Sequence, residues 1–120
     1  MLETRLGVME SRFADLVWEN VPLTAVELCE LCDKAFEWKR TTTYTVLKRL
    51  CDKGLFEKSK KGMVTALVTR DEFYAQQSEV YVAESFGGSL PAFLTAFTSK
   101  NRLSKNDIDE IKKMIETFEE

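Results

Sequence analysis

At Gly54 the spacing of apolar residues changes period, and this limits the folds open to the chain. Upstream, apolar residues recur at steps of three and four, as in helices that each bury one stripe. Leu6, Met9, Phe13, Leu16 and Val17 mark a first helix, which Pro22 stops. Thr24-Ala25-Val26-Glu27 has the form of a capping box, where the Thr hydroxyl and the Glu carboxylate satisfy each other's free backbone N–H groups. A second helix is therefore expected over about 25–36, with Leu28, Leu31, Cys32 and Ala35 inward. A third is expected over about 40–53, with Val46, Leu47 and Leu50 inward and Gly54 as its left-handed end. Past Gly54, residues 55–58 and 65–68 are short and β-prone, and Lys60-Lys61-Gly62 between them supplies a turn. Three helices followed by a hairpin is the order of a winged helix-turn-helix.

The rest of the chain returns to helical spacing. Thr69-Arg70-Asp71-Glu72 is a second capping box, opening a helix over about 70–86 that Gly87-Gly88 ends. Ser89 can cap a short helix to about residue 99, with Pro91 harmless in its first turn. Ser104 starts a last helix, on which Ile108, Ile111, Ile115 and Phe118 form a seam. The expected fold is mainly α with a small β-hairpin: a winged-helix DNA-binding domain over 1–69 and a helical dimerisation region over 70–120. Phe73, Val80, Leu90, Phe93, Leu94 and Phe97, added to that seam, exceed what three short helices can cover among themselves, so a homodimer is expected. Its twofold axis would set two reading helices on an inverted-repeat operator.

Charge separates the two parts. Residues 1–70 hold 12 basic and 10 acidic side chains (12 − 10 = +2), whereas 71–120 hold 5 and 10 (5 − 10 = −5). Between Trp38 and Lys61 eight basic residues face only Asp52 and Glu57 (8 − 2 = +6), a strong patch in a mildly acidic chain. The third helix carries Thr41, Thr42, Tyr44, Thr45, Lys48 and Arg49 outward. Threonine is a mediocre helix former, so three in a row at a helix start point to a use for hydroxyls. Double-stranded DNA supplies that use: Thr42, Tyr44 and Thr45 are expected at base edges, with Thr41 beside them at the helix start. Arg40, Lys48, Arg49, Lys60 and Lys61 are expected on phosphates. A basic face that binds an acidic protein is the alternative from a different class.

Histidine is absent, which excludes Ser/His/Asp and Cys/His catalysis and His-ligated zinc, and no enzyme chemistry is visible. Cys29-Glu30-Leu31-Cys32 invites a metal, but three cysteines fall short of a four-ligand zinc site, so no metal or cofactor is expected. Cys29 and Cys32 read as small buried hydrophobes, with thiol-based redox sensing as the other reading and Cys51 left without a role. The longest uncharged stretch, 85–99, is interrupted by Gly87, Gly88 and Pro91 and is too short to enter a membrane. The first twenty residues are too charged for a secretory signal, and an odd cysteine count fits reduced thiols, so a cytoplasmic location is expected.

The run Thr41-Thr42-x-Tyr44-Thr45-x-Leu47-x-Arg49-Leu50-x-x-Lys53-Gly54 resembles the recognition-helix signature of the penicillinase repressors, the BlaI/MecI/CopY group. So do Val17-Trp18-Glu19, Leu67-Val68-Thr69-Arg70-Asp71-Glu72-Phe73 and Phe86-Gly87-Gly88-Ser89-Leu90. The resemblance implies a homodimeric winged-helix repressor of palindromic operators that dimerises through its C-terminal helices. In some members a membrane sensor-protease system relieves repression by cleavage at an Asn–Phe bond, where this chain has Ala96-Phe97. The wing segment 62–66 is shorter than in the family pattern, and no cysteine follows Cys51, unlike in the copper-responsive members.

Overall fold

The computed structural model describes residues 5–119, so residues 1–4 and 120 of the two expected regions lie outside it. α1 (Val8–Asn20) starts at Gly7, whose N–H donates to Glu10 Oε1 at 3.1 Å. A two-residue strand, β1 (Leu23–Thr24), leads into α2 (Ala25–Phe36). The capping box forms as expected: the Thr24 N–H donates to Glu27 Oε1 at 2.8 Å, and the Glu27 N–H to Thr24 Oγ1 at 3.0 Å. α3 (Arg40–Asp52) ends where Gly54 takes φ +89°. There the Gly54 N–H bonds the Cys51 carbonyl and the Leu55 N–H bonds the Leu50 carbonyl, both at 3.0 Å. This is a Schellman turn, and the burial of Leu50 and Leu55 fastens it to the core.

β2 (Phe56–Lys58) and β3 (Met63–Ala66) make the hairpin, and β1 adds to its other side in the antiparallel order β1-β3-β2. The strands differ from the expected 55–58 and 65–68 because the turn is tighter than its composition suggests. Gly62 donates to the Ser59 carbonyl and Ser59 to the Met63 carbonyl, each at 2.9 Å, so the second strand begins at once. Phe56 then pairs with Ala66, and Lys58 with Val64. Leu23 opposite Val64 and Thr24 opposite Met63 bring β1 to the sheet, and the Ala25 N–H bonds the Gly62 carbonyl at 2.8 Å.

Phe13, Val17, Leu28, Leu47, Leu50, Phe56 and Val64 are fully buried at the centre of this first body. Side chains of this size contribute about 1.5–3 kcal/mol each when removed from water. Trp18 extends the core sideways, with ring centroids 5.3 Å from Phe56, 5.8 Å from Phe73 and 6.2 Å from Tyr74, and its Nε1–H donates to the Val68 carbonyl at 3.0 Å. Phe73 is thus a core residue here, where the sequence placed it at a dimer face. Ala35, expected inward, is exposed near the end of α2.

The described chain divides into two compact units, ending at Ser78 and beginning at Glu79, and the division falls inside α4 (Arg70–Phe86). The second unit contains the rest of α4, α5 (Leu90–Thr98) and α6 (Lys105–Phe118). Ser89 and Ser104 cap their helices through Oγ contacts of 3.0 Å with the Ala92 and Asp107 N–H groups. Tyr81, Phe86 and Phe93 form an edge-to-face cluster with centroids 5.6–6.1 Å apart, and Phe97 lies 6.3 Å from Phe93. No residue of α5 or α6 is buried.

Candidate nucleic-acid interface

The surface of α3 sorts by its pitch. Thr43, Val46, Leu47 and Leu50 are buried, which turns Thr41, Thr45 and Lys48 outward along one ridge. Thr42 and Arg49 lie on one flank of the ridge, and Tyr44 and Cys51 on the other, toward the wing. No side chain caps the start of α3, so Thr41 is not a cap and the first-turn N–H groups beside Arg40 stay open. Thr45 Oγ1 donates its proton to the Thr41 carbonyl at 2.8 Å, leaving an acceptor oxygen and a methyl group facing out.

On the wing flank, the Lys58 ammonium sits 5.2 Å from the centroid of the half-buried Tyr44 ring, a cation–π contact between strand and helix. Lys60 and Lys61 are exposed in the turn between β2 and β3. Lys48 Nζ lies 3.0 Å from Asp52 Oδ2, but with side chains 77% and 67% exposed the pair is weak and Lys48 remains available.

The opposite flank is committed to α1. Arg49 Nη1 lies 3.0 Å from Glu10 Oε2 and Lys53 Nζ 3.3 Å from Glu10 Oε1, and Lys53 also donates to the Arg5 carbonyl at 2.9 Å. Partial burial pushes the Glu10 pKa up, but hydrogen bonds from Arg49, the Gly7 N–H and Lys53 outweigh it and hold the carboxyl below its ordinary 4.5. Arg49 therefore has a partner within the protein. Neither Glu10 nor Lys58 stood out in the sequence. Glu10 lies 39 residues from Arg49, beyond any local pattern, whereas Lys58 carried the signal of its own place in the basic patch.

A model of the penicillinase repressor family matches residues 6–117. The chain belongs to this family. Penicillinase repressors are transcriptional repressors and not enzymes. The penicillinase repressor of Bacillus licheniformis is 23% identical over 104 residues, covering 84% of this chain and 81% of that protein. The methicillin resistance regulatory protein MecI of Staphylococcus aureus strain Mu50 is 21% identical over 109 residues, covering 88% of this chain and 89% of its own length. Its counterpart in Mammaliicoccus sciuri is 20% identical over 104 residues, covering 84% and 85%. A winged-helix DNA-binding domain suits a penicillinase repressor, and the first unit has that form.

In this penicillinase repressor Cys51 lies on the wing flank of α3, near Lys48 and Lys58 of the basic face. Cys29 and Cys32 are buried in α2, and Cys51 is half-buried in α3. Burial raises the Cys32 pKa, partly offset by the neighbouring Thr43 hydroxyl, and burial also raises that of Cys51. Among the described residues no group of three His, Cys, Asp or Glu could hold a metal ion, and no helix is long and apolar enough to cross a membrane. In the second unit Leu90, Phe97, Ile108, Ile115 and Phe118 are exposed, while Val80, Phe93, Leu94 and Ile111 are half-buried. Ala96 is exposed within α5.

Proposed function

We propose that this repressor binds a specific inverted-repeat operator as a homodimer, with α3 in the major groove of each half-site. The observation that carries the reading is the outward ridge of Thr41, Thr45 and Lys48, flanked by Lys60 and Lys61 on the wing and by open N–H groups at the start of α3. Phosphates attract the cations and the helix start, and base edges meet the hydroxyls. Thr42, Tyr44 and Thr45 are the base-reading set, with Thr45 offering an acceptor and a methyl to a base amino group or a thymine methyl. Arg40, Lys48, Lys60 and Lys61 hold phosphates.

The dimer face on this reading is the open apolar surface of the second unit, Val80, Leu90, Phe93, Leu94, Phe97, Ile108, Ile111, Ile115 and Phe118. Its support is the exposure of Ile115 (51%) and Phe118 (81%), large apolar side chains at the outer end of the α6 seam. Phe73 is left out of this face because it is already closed against Trp18. Relief of repression by a cut at Ala96-Phe97 belongs to the same reading, since that cut removes α6 and with it the seam.

Footprinting on the DNA upstream of the protein's own gene, followed by titration of variants, tests the assignment. Tyr44→Ala and Thr45→Ala should each cost about 1–3 kcal/mol on the operator and relax preference at particular base pairs. Lys60→Gln and Lys61→Gln should weaken all duplexes alike and flatten the salt dependence. Unchanged affinity and selectivity in both α3 variants would discard α3 as the reading helix.

A further inference from the structure

We infer that Glu10 is a positioning residue for operator reading, and that Arg49 and Lys53 serve as struts from α3 to α1 rather than as phosphate contacts. The inference rests on the DNA-binding reading above. Glu10 is held from three sides: the Gly7 N–H fixes it in the first turn of α1, while Arg49 and Lys53 reach it from the last turns of α3. Only 15% of its side chain is exposed, and 20% of that of Lys53, so the Glu10–Lys53 contact is sheltered from solvent in a way that Lys48–Asp52 is not, while Arg49 reaches the same carboxylate from a side chain 52% exposed.

The dipoles of both helices favour the arrangement, with an acid at the start of α1 and cations at the end of α3. Two struts one helical turn apart fix both the roll of α3 and its distance from α1. Roll decides which threonines form the outward ridge, because each residue turns the helix surface by roughly 100°. A phosphate that drew either cation away from Glu10 would release that roll as the helix entered the groove. Arg49 and Lys53 accordingly set where Thr41 and Thr45 point.

The reading predicts a sign opposite to simple electrostatics. Removing the acid, Glu10→Gln, makes the domain more cationic and yet should lower operator affinity on the order of tenfold, with affinity for an unrelated duplex unchanged. Arg49→Gln should lower operator affinity similarly and leave the slope of log Kd against log salt at its wild-type value. Lys60→Gln should flatten that slope by about 0.9 for each phosphate it no longer neutralises. The double variant Glu10→Gln/Arg49→Gln should bind within about twofold of the weaker single, since both remove the same ion pair.

The assay is fluorescence anisotropy of the full chain on operator and scrambled duplexes across a potassium chloride series, with far-ultraviolet circular dichroism to verify folding. If Glu10→Gln does not fold, Glu10→Asp replaces it, with a smaller loss of operator affinity expected. Tighter operator binding by Glu10→Gln, or by Glu10→Asp, would make Glu10 a competitor of phosphate and overturn the inference. So would equal losses on both duplexes, which mark a general fold defect, or a flattened salt slope in Arg49→Gln. A wild-type chain that ignores sequence and salt would overturn the DNA-binding reading itself, and the wild-type and Lys60→Gln arms report that independently of the Glu10 arms.

Discussion

Trp18→Phe removes the hydrogen bond that ties α1 to the junction between the wing and α4. Phenylalanine keeps a ring against Phe56 and Phe73, with which the indole has centroid distances of 5.3 and 5.8 Å, but it has no N–H for the Val68 carbonyl. A neutral hydrogen bond contributes about 0.5–1.5 kcal/mol net, and a carbonyl left without its donor adds to the loss where water reaches it poorly. The smaller ring also withdraws roughly 40 Å² of apolar surface, worth about 1 kcal/mol at about 25 cal/mol per Å². Together these predict a destabilisation of about 2–3 kcal/mol, short of the 3–5 kcal/mol typical of removing a large aromatic side chain altogether. Urea unfolding at one fixed protein concentration measures it, because association shifts apparent stability. Trp38, the other tryptophan, stacks 5.7 Å from the buried Phe13 and supplies the fluorescence signal. With a urea slope of about 1–3 kcal/mol per M, the midpoint should fall by about 0.7–3 M. A shift under about 0.3 M would refute the reasoning, because it would mean that the Val68 hydrogen bond and the larger ring contribute nothing.

Ile111→Asp with Ile115→Asp should turn the full chain monomeric in sedimentation at concentrations where the wild type is dimeric, as buried unpaired carboxylates weaken an interface on the order of a hundredfold or more. A dimer that survives both charges with operator affinity intact would place the interface elsewhere. A substitution at Ala96-Phe97 that no protease cuts should keep the regulated gene silent under the inducing stress, and normal induction of that variant would discard relief by cleavage. In native protein at neutral pH, iodoacetamide should label the half-buried Cys51 before Cys29 or Cys32, with all three reacting alike in denaturant. Mass spectrometry reads the order, and equal native labelling of Cys32 would contradict its burial.

Caps and stripes were legible in the sequence because they are local. Thr24, Thr69, Ser89 and Ser104 all cap helices where their spacing predicts, with the Thr69 pair closing through Glu72 at 2.8 and 3.0 Å. Val46, Leu47 and Leu50 face inward as their spacing demands. What escaped depends on partners far along the chain. β1 has two residues, too few to show a period, and exists because Val64 and Met63 lie opposite it. Thr43, in the middle of a threonine run, is buried beside Cys32, since the third helical step returns it to the core. Arg49 looks like its neighbour Lys48, and only the fold reveals that one meets Glu10 on α1 while the other meets only the exposed Asp52 of its own helix. Phe73 reads as interface because nothing nearby in the sequence points to Trp18.

The tip of the wing is pinned by the bond from the Ala25 N–H to the Gly62 carbonyl, at 2.8 Å, at the point where α2 begins. A hairpin that swings freely must be stilled when it meets a duplex, and that stilling opposes association. Here the turn that carries Lys60 and Lys61 is tied to α2, so on binding a duplex mainly their side chains would be left to settle. The same bond restricts how this family member can vary: extra residues between Ser59 and Gly62 would lift the carbonyl from its donor and leave the β1–β3 pairing alone to tie the turn to the start of α2. A shorter reach is thus coupled to a stiffer one, and a duplex would meet a template whose spacing is set before contact.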